Sequence, residues 1–183
     1  MPDLIINNEV FEAEVGETIM EVARRNGAHI SFTCSQRGIC TFCECKVEKG
    51  AELLNPITGN EKSRLSPERL ENGSRMACRA VFKAEEGTVR VTSRVEEVKQ
   101  QFIGIFKAPT IEGKNNQLGA LLGSIKQVSV DYLTMYPYVV KGFKAGKADW
   151  NTVNPFKDLN NLVQDSKRVF LRQIGLNRSK HSK

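Results

Sequence analysis

Four cysteines fall at positions 34, 40, 43 and 45, and a fifth, Cys78, follows far downstream. The first four lie in one run, FTCSQRGICTFCECKV (Phe32–Val47). Three thiols on one tight loop cannot surround a metal centre alone. If the thiols act together, the fold must carry the segment around Cys78 back onto the loop. A cysteine count that is odd, and an N-terminus (MPDLIINNEVFEAEVGE) with neither a basic leader nor an apolar one, argue against a disulfide framework. The expectation is a reducing, cytoplasmic setting with thiols free to bind metal.

Cys34, Cys40, Cys43 and Cys78 give C-x5-C-x2-C-x34-C. Plant-type [2Fe–2S] proteins use the same logic of three clustered ligands and one remote one. Iron needs soft, deprotonated thiolates, and a loop lean enough for backbone N–H groups to approach sulfur. Gly38 permits a left-handed turn there, and Ser35 and Thr41 are small. Three rivals stand beside this reading. Structural zinc pairs two short knuckles, and only Cys40 and Cys43 make one. Buried cysteines can be inert packing. A thioredoxin-like dithiol needs a βαβ context that is absent.

Around the cysteines the pattern is that of a small α+β unit. Leu4–Asn7 and Glu9–Glu14 are strand-like and meet at the turn residues Asn7-Asn8. Thr18 and Glu21 form a capping box, Ile19, Val22 and Ala23 follow at helical spacing, and Gly27 ends the helix. Glu44–Gly50 is strand-like. Thr58 with Glu61, and Ser66-Pro67, start two short helices. Arg75–Phe82 and Gly87–Ser93 are the closing strands. From Val95 onward the apolar spacing is helical, in pieces separated by Pro109, Pro137 and Pro155; the last piece begins at Asn154 and runs to Ile174. The expected division is therefore 1–98 and 99–183.

Charge follows the same division. Residues 1–98 hold 13 Lys and Arg against 16 Asp and Glu, and residues 99–183 hold 14 against 5. A basic appendage on an acidic module points to an acidic partner or an anionic surface. Nucleic acid is not expected, because the basic residues alternate with aliphatics rather than with stacking aromatics.

The stretches CSQRGICTFCECKVEKG, LLNPITGNEKSRLSPERL and GSRMACRA resemble the [2Fe–2S] ferredoxins. The likeness is to the subgroup with five residues between the first two cysteines, which includes the adrenodoxin-like ferredoxins. It covers roughly residues 2–95. It implies a β-grasp ferredoxin domain, here followed by an all-α C-terminal extension. It also implies a [2Fe–2S] cluster on Cys34, Cys40, Cys43 and Cys78, and one-electron transfer. Cys45 matches no ligand position of that family and is read as a small buried hydrophobe. The run Gly73–Lys99 is similar to ferredoxin-domain proteins of the chlorosome envelope of green photosynthetic bacteria, which also carry helical extensions.

Two functions are in view. One is an electron carrier whose basic helical tail docks it on a redox partner or larger complex, with peripheral contact to a membrane or lipid monolayer. The other is a structural, chlorosome-envelope-like protein whose cluster serves as redox sensor or quencher. The setting is then cytoplasmic, or peripheral on a membrane face or chlorosome envelope. No enzyme is expected: there are only two histidines, His29 and His181, and no nucleotide fingerprint.

Overall fold

The computed structural model describes residues 1–31, 34, 36–144 and 167. Ser35 and, Lys167 apart, the third helical piece expected from Asn154 lie outside the described residues.

The chain opens with a hairpin of β1 (Asp3–Ile6) and β2 (Glu9–Glu12). Asn7 and Asn8 both take positive φ, 52° and 70°, the backbone that a two-residue hairpin turn needs. The pleat turns Leu4 and Ile6 inward. Helix α1 (Ile19–Asn26) starts at the expected box: the Thr18 hydroxyl accepts from Glu21 N–H at 3.1 Å, and Glu21 accepts from Thr18 N–H at 2.8 Å. Gly27, at φ 69°, ends it. Its buried face is Ile19, Met20, Val22 and Ala23.

Strand β3 (Glu44–Lys49) leads into a 3-10 turn at Ala51–Leu53, then α2 (Gly59–Arg64), α3 (Pro67–Glu71), β4 (Ser74–Met76) and β5 (Thr88–Ser93). The five strands form one sheet in the order β2-β1-β5-β3-β4. β1 and β5 are parallel and the other neighbours antiparallel. A mixed sheet with a helix packed on one face is the β-grasp arrangement, and the α+β expectation holds. The core is continuous from Leu4 and Ile6 through Ile19 and Val22 to Met76, Phe82, Val89 and Val91.

The closing strand is shorter than the apolar run Arg75–Phe82 suggests. Only Ser74–Met76 pairs as a strand. The chain then turns, with Arg79 N–H and Ala80 N–H both donating to the Met76 carbonyl at 2.7 and 3.0 Å. Val81 and Phe82 return as single bridges to Thr18 and Leu54. Met76, Ala77 and Ala80 are all fully buried, so hydropathy cannot distinguish this turn from a strand.

Helix α4 (Arg94–Lys107) begins directly after β5, capped by the Ser93 hydroxyl, which accepts from Glu96 N–H at 3.3 Å. It runs unbroken through positions 98 and 99. Helix α5 (Ile111–Lys144) follows and packs beside α4, with the Ser124 hydroxyl donating to Gln101 at 2.9 Å. Pro137, expected to separate two helices, lies inside α5. Proline removes a helical N–H and leaves a carbonyl without its partner. The carbonyl concerned is that of Leu133, and tertiary contacts hold the helix next to it. Arg64 donates to the Thr134 carbonyl at 3.1 Å, and its guanidinium lies 4.5 Å from the centre of the Tyr138 ring. Among the described residues no helix is long and apolar enough to cross a membrane.

Candidate metal centre

The cysteine loop bridges α1 and β3. Cys43 immediately precedes β3, whose first residue, Glu44, pairs with Met76 of β4. The ladder continues one step further, where Ala77 N–H donates to the Cys43 carbonyl at 3.0 Å. That register brings Cys78, on the turn after β4, to Cys43: the two sulfurs are 3.4 Å apart. Strand pairing therefore closes the gap of 34 residues in the sequence pattern.

Cys34, Cys40, Cys43 and Cys78 are all buried free thiols. They lie as two pairs, Cys34 with Cys40 and Cys43 with Cys78. A hydrogen bond from Cys40 and the backbone N–H groups of Cys40, Ile39 and Arg37 act on Cys34 against burial and pull its pKa down to about 5. Cys43 donates to Cys78, so the Cys43 thiol is pushed well up and the Cys78 thiol down. Gly38 N–H and the charge of Arg79 also favour the Cys78 thiolate. The loop thus supplies what anionic sulfur needs: aimed N–H groups and a nearby cation.

The donor set fits an iron–sulfur group. Two sulfurs on one tetrahedral metal at about 2.3 Å each lie roughly 3.7 Å apart, close to the spacing of Cys43 and Cys78. The Thr41 hydroxyl, between Cys40 and Cys43, is buried and has no partner among the described residues. It is a spare donor of the kind sulfur acceptors use.

Gly38 has φ 74°, and a Cβ there would come within 2.4 Å of Arg79 Nε and 2.7 Å of Asn60 Nδ2. Gly38→Ala is therefore expected to strain the backbone by about 1–2 kcal/mol and to displace Arg79 from the loop. Faster loss of visible absorbance under a chelator than in the parent protein is the measure.

Cys45 stands apart. It is buried in the sheet core on β3, its sulfur 3.7 Å from the Arg75 carbonyl, and burial pushes its thiol far up. It packs, as its sequence position suggests.

A second group of residues holds the site from behind and has little signature in the sequence. Glu61, fully buried on α2, accepts from Arg75 Nε at 2.7 Å and from Met76 N–H at 3.0 Å. Asn55 Oδ1 accepts from Val81 N–H at 2.7 Å and from Arg75 at 3.2 Å. These contacts fix the segment that carries Cys78. On the other flank, Glu44 is gripped by Arg69, which also donates to Asp131 of α5 at 3.0 and 3.2 Å. Burial opposes the Asp131 charge, but bonds from Arg69 and Arg94 outweigh it and hold its carboxyl below the ordinary range.

Mixed sheet, single packed helix and thiol-lined loop together define a β-grasp protein of the iron–sulfur class. Residues 5–83 match the family described as 2Fe-2S iron-sulfur cluster binding domain. A 2Fe-2S ferredoxin of Pseudomonas aeruginosa is 34% identical over 100 residues, covering 50% of this chain and 89% of that protein. Chlorosome protein I of Chlorobaculum tepidum is 45% identical over 107 residues, 58% of this chain and 42% of that protein. Chlorosome protein J of the same organism is 35% identical over 102 residues, 56% of this chain and 45% of that protein. The aligned region thus spans less than half the length of either chlorosome protein. The chain belongs to the 2Fe–2S ferredoxin family. Its cofactor is a [2Fe–2S] cluster.

Proposed function

We propose that this chain is a one-electron carrier whose cluster is held by Cys34 and Cys40 on one iron and by Cys43 and Cys78 on the other. The observation that carries the assignment is the approach of Cys43 and Cys78 to 3.4 Å across the β3–β4 register, beside the second pair. When bound, the cluster takes up and releases one electron at a time. The residues do the rest. The thiolates ligate; N–H groups of the loop and Arg79 offset their charge; burial keeps bulk water from the sulfurs. Zinc is the weaker reading, since a single ion calls for one closed group of four donors, whereas here the thiols pair. The expected result is about two irons and two acid-labile sulfides per chain, with a paramagnetic signal after one-electron reduction. A zinc-loaded, colourless protein would overturn the reading.

The C-terminal helices attach this carrier to a larger assembly. Phe102, Phe106, Ile111, Leu118, Leu122 and Leu133 are exposed on α4 and α5. That surface is more apolar than the basic composition of the tail suggests, and exposed apolar faces of this extent favour a protein or lipid contact. Similarity to chlorosome proteins I and J favours association with a chlorosome envelope, and with it the second reading, a structural component whose cluster senses or quenches. Mild co-purification with the native membrane and antenna fractions separates the two. A soluble reductase as companion favours the carrier, and retention in an antenna fraction favours the structural component.

A further inference from the structure

Asp131 and Tyr132 are neighbours on α5, well outside the residues that match the family. Between them they hold both residues that flank Cys43. Tyr132 meets Phe42 edge-on, with ring centres 6.4 Å apart and planes at 84°. Asp131 accepts from Arg94 at 2.6 Å, from Arg69 at 3.0 and 3.2 Å and from Gln127 at 3.0 Å. The same two guanidinium groups face Glu44: Arg69 Nε donates to it at 2.9 Å, and Arg94 stands 3.5 Å away. The side chains of Glu44, Arg69, Arg94 and Asp131 are 10, 16, 11 and 5% exposed, so salt screens them poorly. The four charges cancel only while Asp131 is in place.

We propose that Asp131 and Tyr132 are positioning residues for the cluster loop, linking the seating of α5 to the reduction potential of the site. This rests on the assignment of Cys43 as a ligand. Asp131 fixes Arg69 and Arg94 around Glu44, directly behind Cys43, and Tyr132 shields Phe42, directly before it. Reduction adds one negative charge to the site. Loss of the Asp131 charge leaves a guanidinium uncompensated, which favours the reduced state and raises the midpoint.

The test is a potentiometric titration of the full chain, followed by paramagnetic resonance, with iron content measured on every sample. Asp131→Asn is expected to raise the midpoint enough to change the reduced-to-oxidised ratio at least threefold at the parent midpoint. Asp131→Glu, which keeps the charge, returns most of the shift. Tyr132→Leu, which keeps an apolar side chain but removes the aromatic edge contact, alters the line shape. If Asp131→Asn retains full iron with an unchanged midpoint, the proposal is overturned. Should that variant lose its iron, Tyr132→Leu decides, and an unchanged midpoint and line shape at full iron overturn it equally. Failure of the ligand assignment looks different, because the parent chain itself would then lack two irons.

Discussion

The Cys78→Ser variant is expected to lose its cluster, with iron falling from about two per chain to near zero and the visible absorbance with it. Cys78 is the only cysteine brought in from outside the loop, and Cys43 meets it at 3.4 Å. A serine hydroxyl at that place is a hard, weakly acidic donor, and the Gly38 N–H and Arg79 that favour the Cys78 thiolate do little to ionise an alcohol. Cys45→Ala provides the contrast. Cys45 sits in the sheet core with its sulfur on the Arg75 carbonyl, so its loss leaves iron and sulfide content unchanged and costs only the packing of one small side chain, about 1 kcal/mol. Iron and sulfide assays on the two variants, run in parallel, check both statements. Retained iron in Cys78→Ser would overturn the assignment of the fourth ligand.

Much of this contrast is readable before folding. Turn, cap and stop residues act locally, so Asn7-Asn8, the Thr18–Glu21 and Thr58–Glu61 boxes, Gly27 and Pro67 all appear where the residues place them. The ligand spacing is equally local, except for Cys78. What escapes is what depends on distant partners. The turn at Ala77–Arg79 hides in an apolar run because its carbonyl acceptor, Met76, and its neighbours are as buried as a strand would be. Pro137 reads as a helix break because the Arg64 contacts that hold this stretch of α5, to the Thr134 carbonyl and the Tyr138 ring, come from 70 or more positions away in sequence. Asp131 reads as one of few acids in a basic tail; its importance lies in Arg69 of α3 and Arg94 of α4, which only the seating of α5 against those helices brings to it. The consequence is that the extension is not a free appendage. Exposed apolar residues and the Asp131 and Tyr132 contacts toward the cysteine loop belong to the same helix, α5.

Glu61→Gln is expected to destabilise the fold by about 3 kcal/mol, and Glu61→Ala by up to about 5, because each leaves the Arg75 guanidinium buried without its counter-charge. Glu61 is fully buried and Arg75 nearly so. The carboxylate accepts five hydrogen bonds or contacts at once: from Thr58 N–H and hydroxyl at 2.8 and 2.9 Å, from Arg75 at 2.7 and 3.3 Å and from Met76 N–H at 3.0 Å. It thereby ties the start of α2 to the strand that ends two residues before Cys78, so stability and cluster retention should fall together. Acid should mimic the substitution. Burial raises the Glu61 pKa, but the bonds from Arg75 and the backbone outweigh it, and the net direction is below the ordinary 4.5. A carboxyl lowered on folding contributes stability that is fully present above its unfolded value and lost as pH falls through its folded one. Denaturant midpoints of the parent and of Glu61→Gln, measured from neutral pH down into that range, should therefore converge as the parent protonates. Parallel curves at all pH values would mean that the charge of Glu61, as distinct from its shape, does not hold the Cys78 segment.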